Sequence, residues 1–162
     1  MAQPDAGQAT VLAAGAVAML VGGAVLQSRG ARVAVGAVLV ILAGCAWLRV
    51  DPLAPVEHVE RILLLAFSLG LPWAGAALVA GSLLLLPMLL VARSPGAENA
   101  GLAMGLALYF CTAIGVTFIG NFPVPVMGAG VGPVLGWYAA LAVLAARAVP
   151  LTYRRGCPGA GE

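Results

Sequence analysis

The chain contains no lysine, one histidine and too little charge of either sign to cover the surface of a water-soluble domain. Charged residues are 9% of its 162 positions and hydrophobic ones 62%. A soluble fold carries charge on about a quarter of its residues, so lipid is the expected solvent for most of this chain. A net charge of only +2, carried by eight arginines and six acids in separate loops, points away from a nucleic-acid partner. Cysteine is scarce too. Cys45, Cys111 and Cys157 stand far apart with no CxxC pair, and an odd number argues against a disulfide framework. Cys45 and Cys111 are expected to pack as small hydrophobes. No glycine-rich phosphate loop and no nucleophile elbow occurs. Residues 1–8 lack the basic start of a signal peptide, so the first apolar run is expected to be kept as a helix.

What the chain does have is five apolar stretches, at about 9–26, 33–48, 62–92, 101–119 and 133–149. They predict an all-α, polytopic transmembrane bundle of about five spans, forming a single integral-membrane domain over residues 1–162. The run 62–92 would be about 46 Å long as one helix, beyond a hydrocarbon core of about 30 Å. It is too short for two spans and a turn. It is therefore expected to tilt, kink or begin in the interface, with Pro72 and Pro87 as kink points. Trp73 reads either as an interfacial anchor or as a packing residue. Arg32, Arg49 and Arg147 stand at span ends, where they can snorkel to the headgroups.

Five spans place the termini on opposite sides of the membrane. With the N-terminus outside, Arg29, Arg32, Arg93, Arg147, Arg154 and Arg155 face the cytoplasm, and Arg49 and Arg61 remain outside. That asymmetry follows the positive-inside rule and predicts N-out, C-in. The arginine-only, alanine- and glycine-rich composition fits a GC-rich bacterial gene, and hence the bacterial inner membrane.

Small residues recur at four-residue spacing: Ala14, Ala18 and Gly22; Gly36 and Gly44 around Val40; Ala76 and Ala80; Gly101 and Gly105. Such faces let helices approach closely in lipid, within the bundle or against another subunit.

Chemistry is harder to find. No acid, histidine or lysine lies in the middle of any span, which removes the usual proton relay. The polar set at membrane depth is Ser68, Ser82, Tyr109, Cys111, Thr112 and Thr117, and the hydroxyls of its serines and threonines are expected to return to backbone carbonyls. His58, with Glu57 and Glu60, suggests a metal site. Glu57 is better placed to meet Arg61 one turn on, so a solvated interfacial segment is expected instead. No catalytic residue, cofactor or metal is assigned.

One connection stands out. Residues 120–132 carry no charge, and an ordinary water-exposed loop would hold more polar side chains. Pro123 and Pro125 force an extended path, while Gly128, Gly130 and Gly132 permit tight turns. Asn121 is its one strongly polar side chain, expected to hydrogen-bond the loop's own backbone or a partner's. The segment is either an apolar cover folded on its own bundle or a docking surface formed by Asn121, Phe122, Pro123, Pro125, Gly128, Gly130 and Gly132. Pro123, Val124, Pro125, Gly128, Gly130 and Gly132, followed by an apolar helix ending in Arg147, make it similar to the outer loop before the last helix of the shape, elongation, division and sporulation polymerases of the cell wall. The chain has half the spans of that family and lacks its catalytic acid, so no activity is carried over.

The function expected from these features is that of a non-catalytic membrane subunit or assembly factor of a larger complex. Its partners would be the lipid bilayer and either a membrane protein or a second copy of itself. A small channel or carrier for a neutral solute is the alternative, and a lipid-active enzyme comes third.

Overall fold

The computed structural model describes residues 6–22, 26, 28–48, 61–94, 99–120, 122, 124–127 and 131–148. Among these residues the regular structure is wholly helical. The helices are α1 (Ala6–Val21), α2 (Arg29–Trp47), α3 (Ile62–Ser68), α4 (Leu71–Arg93), α5 (Ala100–Val116) and α6 (Val131–Ala148).

Ser28 decides where α2 begins. Its hydroxyl accepts from the Ala31 amide at 3.4 Å, capping a helix that starts four residues before the expected Val33. The segment Arg29–Arg32, expected in a turn, is therefore the first turn of α2. Arg32 donates to the Leu20 carbonyl at 3.5 Å, in the last turn of α1, where a cation is favourable. At the opposite end Trp47 Nε1 donates to Thr10 Oγ1 at 2.9 Å, so α1 and α2 form an antiparallel pair. Among the described helices α2 packs only on α1.

The long run 62–92 breaks, though not at either proline expected to kink it. Gly70 takes φ 110° and ψ 176°, a conformation essentially closed to residues with a Cβ, and separates α3 from α4. Pro72 falls in the first turn of α4, where its missing N–H is harmless. Pro87 lies inside α4, which continues through it as a helix.

α5 is the central element, with two buried faces. Ala103, Ala107 and Phe110 meet Met88 of α4 and Leu144 of α6, while Ala113 and Val116 meet Val11 of α1. The α1–α5 contact is built on glycine. A Cβ on Gly15 would lie 3.3 Å from the Gly105 carbonyl oxygen, and one on Gly105 would lie 3.3 Å from that of Gly15. Further along, Gly22 stands over Gly101. Of the small residues read from sequence, Gly22, Gly101 and Gly105 thus serve an internal contact. Gly44 has no neighbour within 4 Å of such a Cβ. α6 is held by its Trp137 indole, which donates to the Leu84 carbonyl at 3.1 Å.

By length and composition α2 and α4 can each cross a membrane. Their mean hydropathies are 1.9 and 2.3, yet only 6% and 17% of their apolar windows is buried inside the protein. α1 and α5, with 16 and 17 residues, are apolar but shorter, as is the run of α6 through Arg147. Trp73 is 61% exposed on the first turn of α4. Cys45 and Cys111, expected to pack as small hydrophobes, are free thiols exposed on α2 and α5.

The hydroxyls behave as their chemistry requires. Ser68, Ser82 and Thr117 donate to the carbonyls of Leu65, Leu78 and Ile114, at 2.8, 2.8 and 2.7 Å.

Candidate functional site

The chain leaving α5 turns at once. The amides of Ile119 and Gly120 both bond to the Val116 carbonyl, at 3.1 and 3.0 Å, directing the backbone across the end of the bundle. Phe122 then folds back between α1 and α2. A Cβ on Gly7 would overlap its ring, and one on Gly120 would come within 2.5 Å of it. The Trp47 indole meets the same ring edge-on, with centroids 5.6 Å apart. Val124 is fully buried and Pro125 is buried beside it.

A tight reversal follows. The Met127 amide donates to the Pro125 carbonyl at 2.7 Å across Val126, whose φ is 63°. This is a γ-turn with a β-branched residue in the left-handed region, an unfavourable backbone state held by the packing of Val124 and Pro125. Gly132, expected to permit a tight turn in the loop, lies instead in the first turn of α6 with Pro133. Pro133 explains this placement, because its fixed φ suits a helix start.

Of the residues expected to form a docking surface, Phe122 and Pro125 are thus turned into the bundle, and Gly132 is helical. Asn121, Pro123, Gly128 and Gly130 lie outside the described residues, as do Glu57, His58, Glu60 and Cys157.

Beneath the loop is a cavity of about 470 Å³ between α1, α5 and α6, closed on one side by Pro125 and Gly132. Its polar groups are Gln8 and Tyr109, and Gln8 Nε2 donates to the Tyr109 hydroxyl at 2.8 Å. The rest of its wall is aliphatic or aromatic, including Leu106, Phe110 and Pro133. An amide and a phenol in an apolar wall can orient a neutral group by hydrogen bonding. Among the described residues no three His, Cys, Asp or Glu side chains come together as a metal set. Gln8 and Tyr109 were not singled out as a pair from sequence. The available sign was a polar side chain at the head of an apolar helix, which does not reveal a partner 101 residues away.

No family model matches the chain, and neither a curated protein nor a solved structure is significantly similar to it. Among the described residues, fold and site define an all-helical protein with two helices of bilayer-crossing length and a loop-capped apolar cavity.

Proposed function

We propose that the chain is a polytopic inner-membrane protein of about five spans, N-out and C-in, acting as a non-catalytic subunit or assembly factor of a larger complex. The observation that carries the reading is the outward placement of large apolar side chains. Ile41 and Leu42 of α2 are 62% and 60% exposed, Leu78 and Leu83 of α4 are 61% and 58% exposed, and both helices turn many further large apolar side chains outward. Water does not tolerate continuous surfaces of this kind; hydrocarbon or a partner helix does. The shorter α1, α5 and α6 cross by local thinning of the bilayer. A subunit role is favoured over an enzyme because no acid or histidine occupies the middle of any span. The cavity lined by Gln8 and Tyr109 supports a second reading, a carrier for a small neutral solute.

Purification in mild detergent tests the subunit reading. A partner protein should be recovered in stoichiometric amount, and a monodisperse lone protein would contradict the proposal. Asn121→Ala or Gly130→Val should reduce recovery of that partner at least fivefold while membrane insertion is unchanged. Ser82→Ala should be silent, since the Ser82 hydroxyl only returns to its own helix. Loop variants that keep full association and lower only thermal stability would make the loop a cover for its own bundle.

A further inference from the structure

α1 and α2 are joined by one hydrogen bond near each end, Trp47 to Thr10 and Arg32 to the Leu20 carbonyl. A recess of about 390 Å³ lies between them beside Thr10 and Trp47. Towards the start of α2 a groove of about 730 Å³ opens between them, walled by Val17, Leu20, Val33, Gly36 and Ile41. Arg29 and Arg32 line it at its mouth. The groove is roomy at Gly36, where a Cβ would meet only Val17, at 3.9 Å. From Val33 to Ile41 the wall rises about 12 Å, close to the roughly 15 Å depth of one leaflet.

The mouth is positive and incompletely satisfied. Arg29 and Arg32 are three residues apart on α2, so they share one face. Arg32 uses one terminal nitrogen on the Leu20 carbonyl, while its Nε is buried without a hydrogen-bond partner. The partial positive charge at the amino end of α2 is offset by the carboxyl end of α1 at the same level, so the two guanidinium groups carry the positive charge of the mouth. No acidic side chain lines the groove among the described residues. An apolar slot one leaflet deep, ending in two guanidinium groups, has the complementarity of a lipid with an anionic headgroup.

We propose that this groove seats one anionic phospholipid, with an acyl chain along α2 between Val33 and Ile41 and the phosphate on Arg29 and Arg32. The site rests on the membrane placement proposed above. In that orientation it opens to the cytoplasmic leaflet, where juxtamembrane arginines meet anionic lipid.

Native mass spectrometry of the full chain in neutral detergent, titrated with phosphatidylglycerol or phosphatidylcholine, tests it. Phosphatidylglycerol should bind one per chain, at least tenfold more tightly than phosphatidylcholine. The double variant Arg29→Gln, Arg32→Gln should reduce it to the phosphatidylcholine level. Gly36→Leu, which fills the slot and leaves both charges, should weaken both lipids, and Arg29→Lys should retain most of the preference. Equal binding of the two lipids, unchanged binding in the double variant, or displacement by equimolar inorganic phosphate would overturn the proposal. So would a second protomer in place of the lipid, seen as a dimer that the groove variants dissolve. Alkaline extraction of the source membranes separates the two claims: a chain released by alkali fails the membrane reading, whereas a retained chain without lipid preference fails only the seat.

Discussion

Gly105→Leu is expected to lower the unfolding stability of the detergent-solubilised protein by about 3 kcal/mol, at the upper end of overpacking costs. Gly115→Leu on the same helix should change it little. The difference lies in what each side chain meets. At Gly105 even a first carbon reaches Met19 Cγ at 2.5 Å and the Gly15 carbonyl at 3.3 Å. Met19 is flexible and can move aside, but the Gly15 backbone cannot move without parting α1 from α5. At Gly115 a Cβ meets nothing within 4 Å. Gly105→Ala should cost much less than Leu, because the methionine absorbs one methyl group. Gly15→Val attacks the same contact from the other side, through the Gly105 carbonyl and Tyr109 Cβ at 3.1 Å. Combined with Gly105→Leu it should add less than its separate effect, since both remove one packing contact. Denaturant titration of the four single variants and the double variant measures this; equal effects at Gly105 and Gly115 would mean that α1 and α5 are not in close contact.

Gly70→Ala is expected to cost about 2 kcal/mol, whereas Gly75→Ala should gain about 0.5–1 kcal/mol. Neither glycine is crowded: the nearest atom to a Cβ on Gly70 is Pro72 Cδ at 4.0 Å, and Gly75 has none within 4 Å. The contrast therefore isolates backbone conformation. Gly70 holds φ 110° at the α3–α4 break, where alanine is strained. Gly75 is an ordinary helical residue of α4, where alanine loses less chain entropy on folding. If both substitutions stabilise, the run 62–92 is one continuous helix and the break is absent.

The break shows what was legible in the sequence and what was not. A single helix over 62–92 is too long for the hydrocarbon core, so a tilt, a kink or an interfacial start was expected. Prolines were the visible candidates. Yet a proline in the first turn of a helix gives up an N–H that has no partner there in any case, and the glycine two residues earlier carries the break. Ser28 was visible as well, but a serine before Arg-Gly reads equally as a turn or as a helix cap. The apolar runs placed helices near all five expected positions, because apolar length needs no tertiary information. Which small residues touch is a different matter. Alanine and glycine are so frequent here that Gly15 against Gly105 is one pairing among many, and only the crossing of α1 on α5 selects it. Gln8 and Tyr109 lie far apart in the chain for the same reason. In the loop, Pro123 and Pro125 announced an extended path, but the inward turn of Phe122 depends on the space left by Gly7, which no local pattern reveals.

Cys111 offers the most direct test of the central claim, that the apolar outer faces lie in a bilayer. Its thiol is exposed on α5, well inside the helix ends. In a protein with Cys45→Ala and Cys157→Ala, a membrane-impermeant maleimide is applied to membranes opened on both sides. The account predicts no labelling of Cys111 until the membranes are dissolved and the protein denatured, then complete labelling. Labelling in the open membranes at the rate of a free thiol would place this face in water and contradict the account.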